Sequence, residues 1–94
     1  MSTAVVARLD SAGDVLITGP AVRAVAAHHD RLTMLVGPRG RDAAELLLGV
    51  DEIVEWQAPW VDFEAPELTA AHAEALIKQL RDLAPDRVYI FTSF

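Results

Sequence analysis

Two aspartates four residues apart, Asp10 and Asp14, share the stretch Arg8-Leu9-Asp10-Ser11-Ala12-Gly13-Asp14 with a serine and a glycine. These residue types can carry proton-transfer chemistry. A carboxylate within hydrogen-bond reach of a hydroxyl can take its proton as a new bond forms. Gly13 has no side chain, so a substrate can approach the backbone closely there. The same residues also have a purely local reading. Ser11-Ala12-Gly13-Asp14 fits the S-x-x-D/E capping box, in which Ser11 caps a helix and Asp14 reaches back to it. Asp10, coming after an apolar run, is equally a turn former.

The elements that must position these groups are a strand and a helix. Ala4-Val5-Val6-Ala7 is short, apolar and valine-rich, as a buried strand is, and sets a first strand at residues 3–9. Apolar residues then recur at helical spacing through Val15, Val22, Val25 and Ala26, giving a helix over about 13–28 that Pro20 should bend. The stretch is a strand–turn–helix corner. In open α/β sheets such corners line the crevice where ligands bind, because helix N-termini and free backbone N–H groups converge there.

The rest of the chain repeats the alternation. A second strand spans Leu32 to Val36, Gly37-Pro38-Arg39-Gly40 makes a turn, and Arg41 to Leu48 forms a short helix closed by Gly49 at C′. A third strand runs from Asp51 to Trp56. An irregular, apolar stretch from Gln57 to Pro66 follows, carrying Trp60 and Phe63. Leu68, His72, Leu76, Leu80 and Leu83 mark an amphipathic helix, and Val88 to Phe91 a fourth strand. The order βαβαβαβ predicts one α/β domain over residues 1–94: a Rossmann-like three-layer αβα unit with a four-stranded parallel sheet in the order 3-2-1-4. Asp10 and Ser11 at the end of strand one should then face Thr92 and Ser93 at the end of strand four.

Composition removes several function classes. The chain has no cysteine, which excludes disulfides and thiolate metal sites. A net charge of −6 argues against nucleic acid or an anionic membrane as partner. No apolar run approaches the ~20 residues of a membrane span, and no signal peptide opens the chain, so a cytoplasmic protein is expected. His28 and His29 close a helix and point in different directions, so no metal site is expected. Arg39 and Arg41 can grip a phosphate or carboxylate, or remain solvated surface arginines. Trp60 can stack on a sugar face or anchor its loop. His72, on the apolar stripe, is expected to be structural.

Known corner motifs fail on specific residues. The turn holds one glycine where a dinucleotide fingerprint needs three, and no G-K-[ST] follows. Strand three ends in Glu55-Trp56 where a receiver domain has its phosphoacceptor aspartate, and Asp10 and Asp14 lack the spacing of an Asp-x-Asp phosphotransferase. What the stretch resembles is the N-terminal signature of glycosyltransferase family 9, the heptosyltransferase-like enzymes of GT-B fold. Arg8, Asp10-Ser11-Ala12-Gly13-Asp14 and Thr18-Gly19-Pro20 match its strand, basic residue, Gly-Asp turn and Thr-x-Pro helix. Leu35-Val36-Gly37-Pro38 and Gly49-Val50-Asp51-Glu52-Ile53 extend the likeness along the chain.

The resemblance implies inverting transfer of a heptose-like sugar from a nucleotide-sugar donor, such as ADP-heptose, to a glycan hydroxyl, without a metal or other cofactor. It implies Asp14 as general base, with Arg8, Asp10, Ser11, Gly13, Thr18, Arg39, Arg41, Trp60 and Ser93 around the substrates. The helix N-terminus would stabilise negative charge on the donor diphosphate and also favour the carboxylate form of Asp14, so proton transfer should come late. A second, donor-binding domain belongs to such enzymes and is not among these 94 residues, which would then be the inactive acceptor-side portion, working in the cytoplasm or at the inner membrane face. The competing expectation is a stand-alone α/β binding or interaction module without catalysis. Strand four, at a sheet edge with Tyr89, Phe91 and Phe94, is expected to promote self-association.

Overall fold

The computed structural model describes residues 2–9, 11–57 and 70–91. Eight elements follow in order: β1 (Thr3–Arg8), α1 (Ala12–Ile17), α2 (Gly19–Ala26), β2 (Arg31–Val36), α3 (Arg41–Ala44), β3 (Glu52–Glu55), α4 (Ala70–Leu83) and β4 (Arg87–Ile90). The four strands form one sheet in the order β3-β2-β1-β4, and every pairing is parallel. This is the α/β architecture and strand order that the alternating pattern predicts.

Two cores flank the sheet, one on each face. Val6, Leu32, Met34 and Val36 pack with Val15, Val22, Ala43 and Ala44 from α1, α2 and α3. On the other face Val5, Ala7, Leu35 and Trp56 take Leu76, Leu80 and Leu83 of α4. The strands alternate sides with the period of two expected of pleated backbone. The chain winds β1→β2→β3 with helices on one face, then returns to β4 with α4 on the other, as connections of a single hand require when direction reverses.

Two helices are shorter than their apolar spacing suggests. The expected helix at 13–28 is α1 and α2, separated at Thr18, with Pro20 in the first turn of α2. Proline has no N–H for the Leu16 carbonyl four residues back, and its ring crowds that carbonyl, so the helix is interrupted at Thr18, next to where a bend was expected. The expected helix at 41–48 is the single turn Arg41–Ala44. Gly49 sits at φ 95°, and a Cβ there would lie 2.9 Å from the Ala26 Cβ. The connection thus presses against α2, leaving Leu47 half-buried and Leu46 and Leu48 outside.

An aspartate precedes each strand after the first, and each holds its neighbour. Asp30 Oδ2 accepts from the Ser2 N–H, Asp86 Oδ2 from the Thr3 N–H and Asp51 Oδ2 from the Leu32 N–H, all at 2.7 Å. Each aspartate N–H in turn donates to a carbonyl of the same neighbouring strand start, Ser2, Thr3 or Leu32. The N-terminal edge of the sheet is thereby stitched by three equivalent carboxylate latches. His29 adds a tie there, with Nδ1 against Ser2 Oγ and Nε2 at 3.2 Å from the Tyr89 hydroxyl. His72 is structural, as expected. Its ring stacks on Trp56 at 4.7 Å, its Nε2 donates to the Gln57 carbonyl at 2.7 Å, and its own carbonyl accepts from Trp56 Nε1 at 3.2 Å.

Candidate functional site

Asp14 lies at the C-terminal edge of the sheet, in the first turn of α1. The chain reaches it because β1 ends at Arg8 and α1 begins four residues later, at Ala12. Its two carboxylate oxygens are held separately. Arg8 Nη2 lies 3.2 Å from Oδ1, and Ser11 Oγ donates to Oδ2 at 3.0 Å. The Arg8 side chain is only 11% exposed, fixed at the end of a buried strand, whereas Asp14 is 35% exposed. Behind it, Thr18 is buried and its hydroxyl donates to the Asp14 carbonyl at 2.8 Å. The carboxylate is therefore aimed from both sides and its backbone is pinned.

The capping box takes a modified form here. Ser11 occupies the N-cap position with extended backbone, yet its hydroxyl makes no cap bond to a backbone N–H. It donates to the Asp14 carboxylate instead. α1 has only six residues, so the helix field at Asp14 is modest beside these direct partners. Gly13 meets no steric demand from the fold. A Cβ there would find only Ser11 Oγ, at 3.9 Å.

Gly37 closes the corner from the β2 side. A Cβ at Gly37 would lie 3.0 Å from the Leu9 carbonyl oxygen and 3.8 Å from that of Trp56, so the exits of β1, β2 and β3 converge where only glycine fits easily. Arg39 and Arg41 follow in this connection. Arg41 is 44% exposed and faces two carboxylates, Glu45 at 3.7 Å and Glu55 at 4.0 Å, pairs that solvent makes weak. Asp10, Trp60 and Ser93 lie outside the described residues, and so does the expected meeting of the β1 and β4 ends.

Of the site residues expected from sequence, the structure brings Arg8, Ser11, Gly13, Asp14 and Thr18 together. The contact that sequence reasoning missed is Arg8 with Asp14, since Arg8 was expected to face substrate. A basic residue closing a strand, six positions before an aspartate in the next helix's first turn, is the signal that marks it. Among the described residues, no three His, Asp or Glu side chains cluster as metal ligands would, and no helix is long and apolar enough to cross a membrane. Fold and corner together define an α/β unit with an oriented carboxylate at the C-terminal edge of its sheet. Comparisons with protein-family models, curated proteins and solved structures find no match to this chain.

Proposed function

We propose that this unit forms the acceptor side of an inverting GT-B-type glycosyltransferase, with Asp14 as general base. The supporting observation is a carboxylate about one-third exposed, gripped on one oxygen by Arg8 and on the other by Ser11, beside a glycine the fold does not require. In this reading an acceptor hydroxyl attacks the anomeric carbon of a nucleotide sugar. The new C–O bond forms as the bond to the diphosphate breaks, the nucleoside diphosphate leaves with the electron pair, and Asp14 takes the hydroxyl proton. A second domain would hold most of the donor, a heptose-like nucleotide sugar such as ADP-heptose. The acceptor would be a cell-surface glycan of the lipopolysaccharide kind, built in the cytoplasm or at the inner membrane face. Arg39 and Arg41 would meet acceptor anions, and Asp10, Trp60 and Ser93 would complete the crevice.

The test is Asp14→Asn in the two-domain enzyme. Asparagine keeps the size, and its one carbonyl oxygen can still accept from Arg8 while its NH2 donates to the Ser11 hydroxyl turned to accept, but it cannot take the proton. The expected result is a fall in kcat of ~10²–10⁴ with a stability loss of only about 1 kcal/mol. Turnover near the parent level would remove Asp14 from the chemistry. A second reading, a binding module without catalysis, is favoured by the Arg8–Asp14 pair, which braces β1 against α1. It predicts that titrating the ¹⁵N-labelled chain with acceptor glycan leaves the amides of Ser11 to Asp14 unmoved.

A further inference from the structure

Ser11 and Asp14 present two hydrogen-bond acceptors side by side. Ser11 Oγ lies 3.0 Å from Asp14 Oδ2 and gives its single proton to it. A hydroxyl has one donor and two lone pairs, so both lone pairs of Ser11 Oγ are left to accept. The backbone does not use them, because Ser11 makes no side-chain cap bond to an N–H of α1. Ser11, Ala12 and Gly13 are exposed and Asp14 is half-buried, so the pair opens to solvent. Arg8 Nη2 holds Oδ1 at 3.2 Å, which sets Oδ2 as the oxygen beside Ser11.

We propose that this pair selects acceptors carrying two adjacent hydroxyls in gauche relation, a vicinal diol. The proposal rests on the reading of Asp14 as general base and adds the acceptor's chemical class to it. The reacting hydroxyl donates to Asp14 Oδ2 and gives up its proton there as its oxygen bonds the anomeric carbon. The neighbouring hydroxyl donates to Ser11 Oγ and keeps its proton. Gauche hydroxyl oxygens on adjacent sugar carbons lie about as far apart as Ser11 Oγ and Asp14 Oδ2, so both bonds can form at once. Trans-diaxial hydroxyls, or equatorial ones separated by a ring carbon, hold their oxygens too far apart. Two acceptors also suit an ammonium group, but the Arg8 guanidinium at Asp14 repels a second cation. Gly13 interposes no side chain, so sugar carbons can lie against the backbone between the two contacts. A site built to bond a hydroxyl rejects the analogue without it, since its own polar group is then left unmatched.

The test is an NMR titration of the ¹⁵N-labelled 94-residue chain with methyl α-mannopyranoside and with its deoxy analogue. The analogue lacks the middle of the ring hydroxyls, so no adjacent pair remains. The expected result is saturable shifts at the amides of Ala12, Gly13 and Asp14 with the parent glycoside. Affinity for the analogue should be roughly threefold to tenfold weaker, the worth of one hydrogen bond. Ser11→Ala should bind the two glycosides alike, with the amide spectrum outside the corner unchanged. Equal affinity of the parent chain for both glycosides would overturn the proposal and leave Asp14 as base untouched. So would amides unmoved by either glycoside, or a discrimination that survives Ser11→Ala. Turnover that persists after Asp14→Asn sinks the base reading by itself, and a diol preference measured by titration would then belong to binding alone.

Discussion

Alanine at Gly49 and alanine at Gly13 should move stability in opposite directions. At Gly49 two costs add. The backbone sits at φ 95°, which costs an L-residue about 1–2 kcal/mol, and the new Cβ would lie 2.9 Å from the Ala26 Cβ, an overpacking that costs about 1–3 kcal/mol more. A central figure of about 3 kcal/mol lowers Tm by roughly 12–24 °C in a domain of this size. Thermal unfolding followed by far-UV circular dichroism measures it. Pairing Gly49→Ala with Ala26→Gly removes the contact but not the dihedral cost, so the double-mutant cycle should return a coupling of about 1–2 kcal/mol. At Gly13 the added Cβ meets only Ser11 Oγ at 3.9 Å and the position is helical, so Gly13→Ala should be neutral or gain up to about 0.5–1 kcal/mol. The functional proposal adds that this stable variant binds acceptor more weakly, because the methyl occupies the approach. A loss under about 1 kcal/mol at Gly49, or a coupling near zero, would refute the view that this glycine braces the leucine run.

The latches and the core give two more expectations. Asp51→Ala removes a 2.7 Å acceptor from the half-buried Leu32 N–H and should cost about 1–2 kcal/mol in urea unfolding, with Asp51→Asn recovering much of it and the exposed latches Asp30 and Asp86 costing less. Thr33 is fully buried, and its hydroxyl has no hydrogen-bond partner among the described residues, so Thr33→Val should raise stability by up to about 1 kcal/mol; a loss would mean that the hydroxyl is bonded.

The sheet order was legible because the strands are short, valine-rich runs such as Ala4 to Ala7, and because connections of one hand leave few arrangements for βαβαβαβ. Helix boundaries were less legible where apolar spacing continued through a break. Val15 and Val22 fit one helical stripe, yet the Leu16 carbonyl cannot bond Pro20, and proline suits the first turn of a new helix. The run Leu46-Leu47-Leu48 reads as helix by composition, but the Gly49–Ala26 contact draws it into a connection, a constraint no local pattern carries. The latches were present as Asp-Arg-Leu, Asp-Glu-Ile and Asp-Arg-Val at the start of each strand after the first. Taken singly these aspartates are turn formers, and their common role emerges only once the strands are parallel and adjacent.

At the candidate site, sequence located the corner and the structure added its wiring. An ionised carboxylate offers about four lone-pair positions, and within the described residues Arg8 and Ser11 engage one on each oxygen of Asp14. The remaining positions belong to a side chain that is 35% exposed. A pure brace gains from burial, since water screens an ion pair and lowers its worth toward that of a surface salt bridge. A general base needs the reverse: fixed orientation together with a lone pair open to the reacting hydroxyl. Asp14 has orientation from Arg8 and Ser11, a backbone held by Thr18, and a bare neighbour in Gly13. The brace reading explains the first two features. The exposed carboxylate and the sterically unnecessary glycine are what the base reading accounts for in addition, and they are why Asp14→Asn and Gly13→Ala together separate the two.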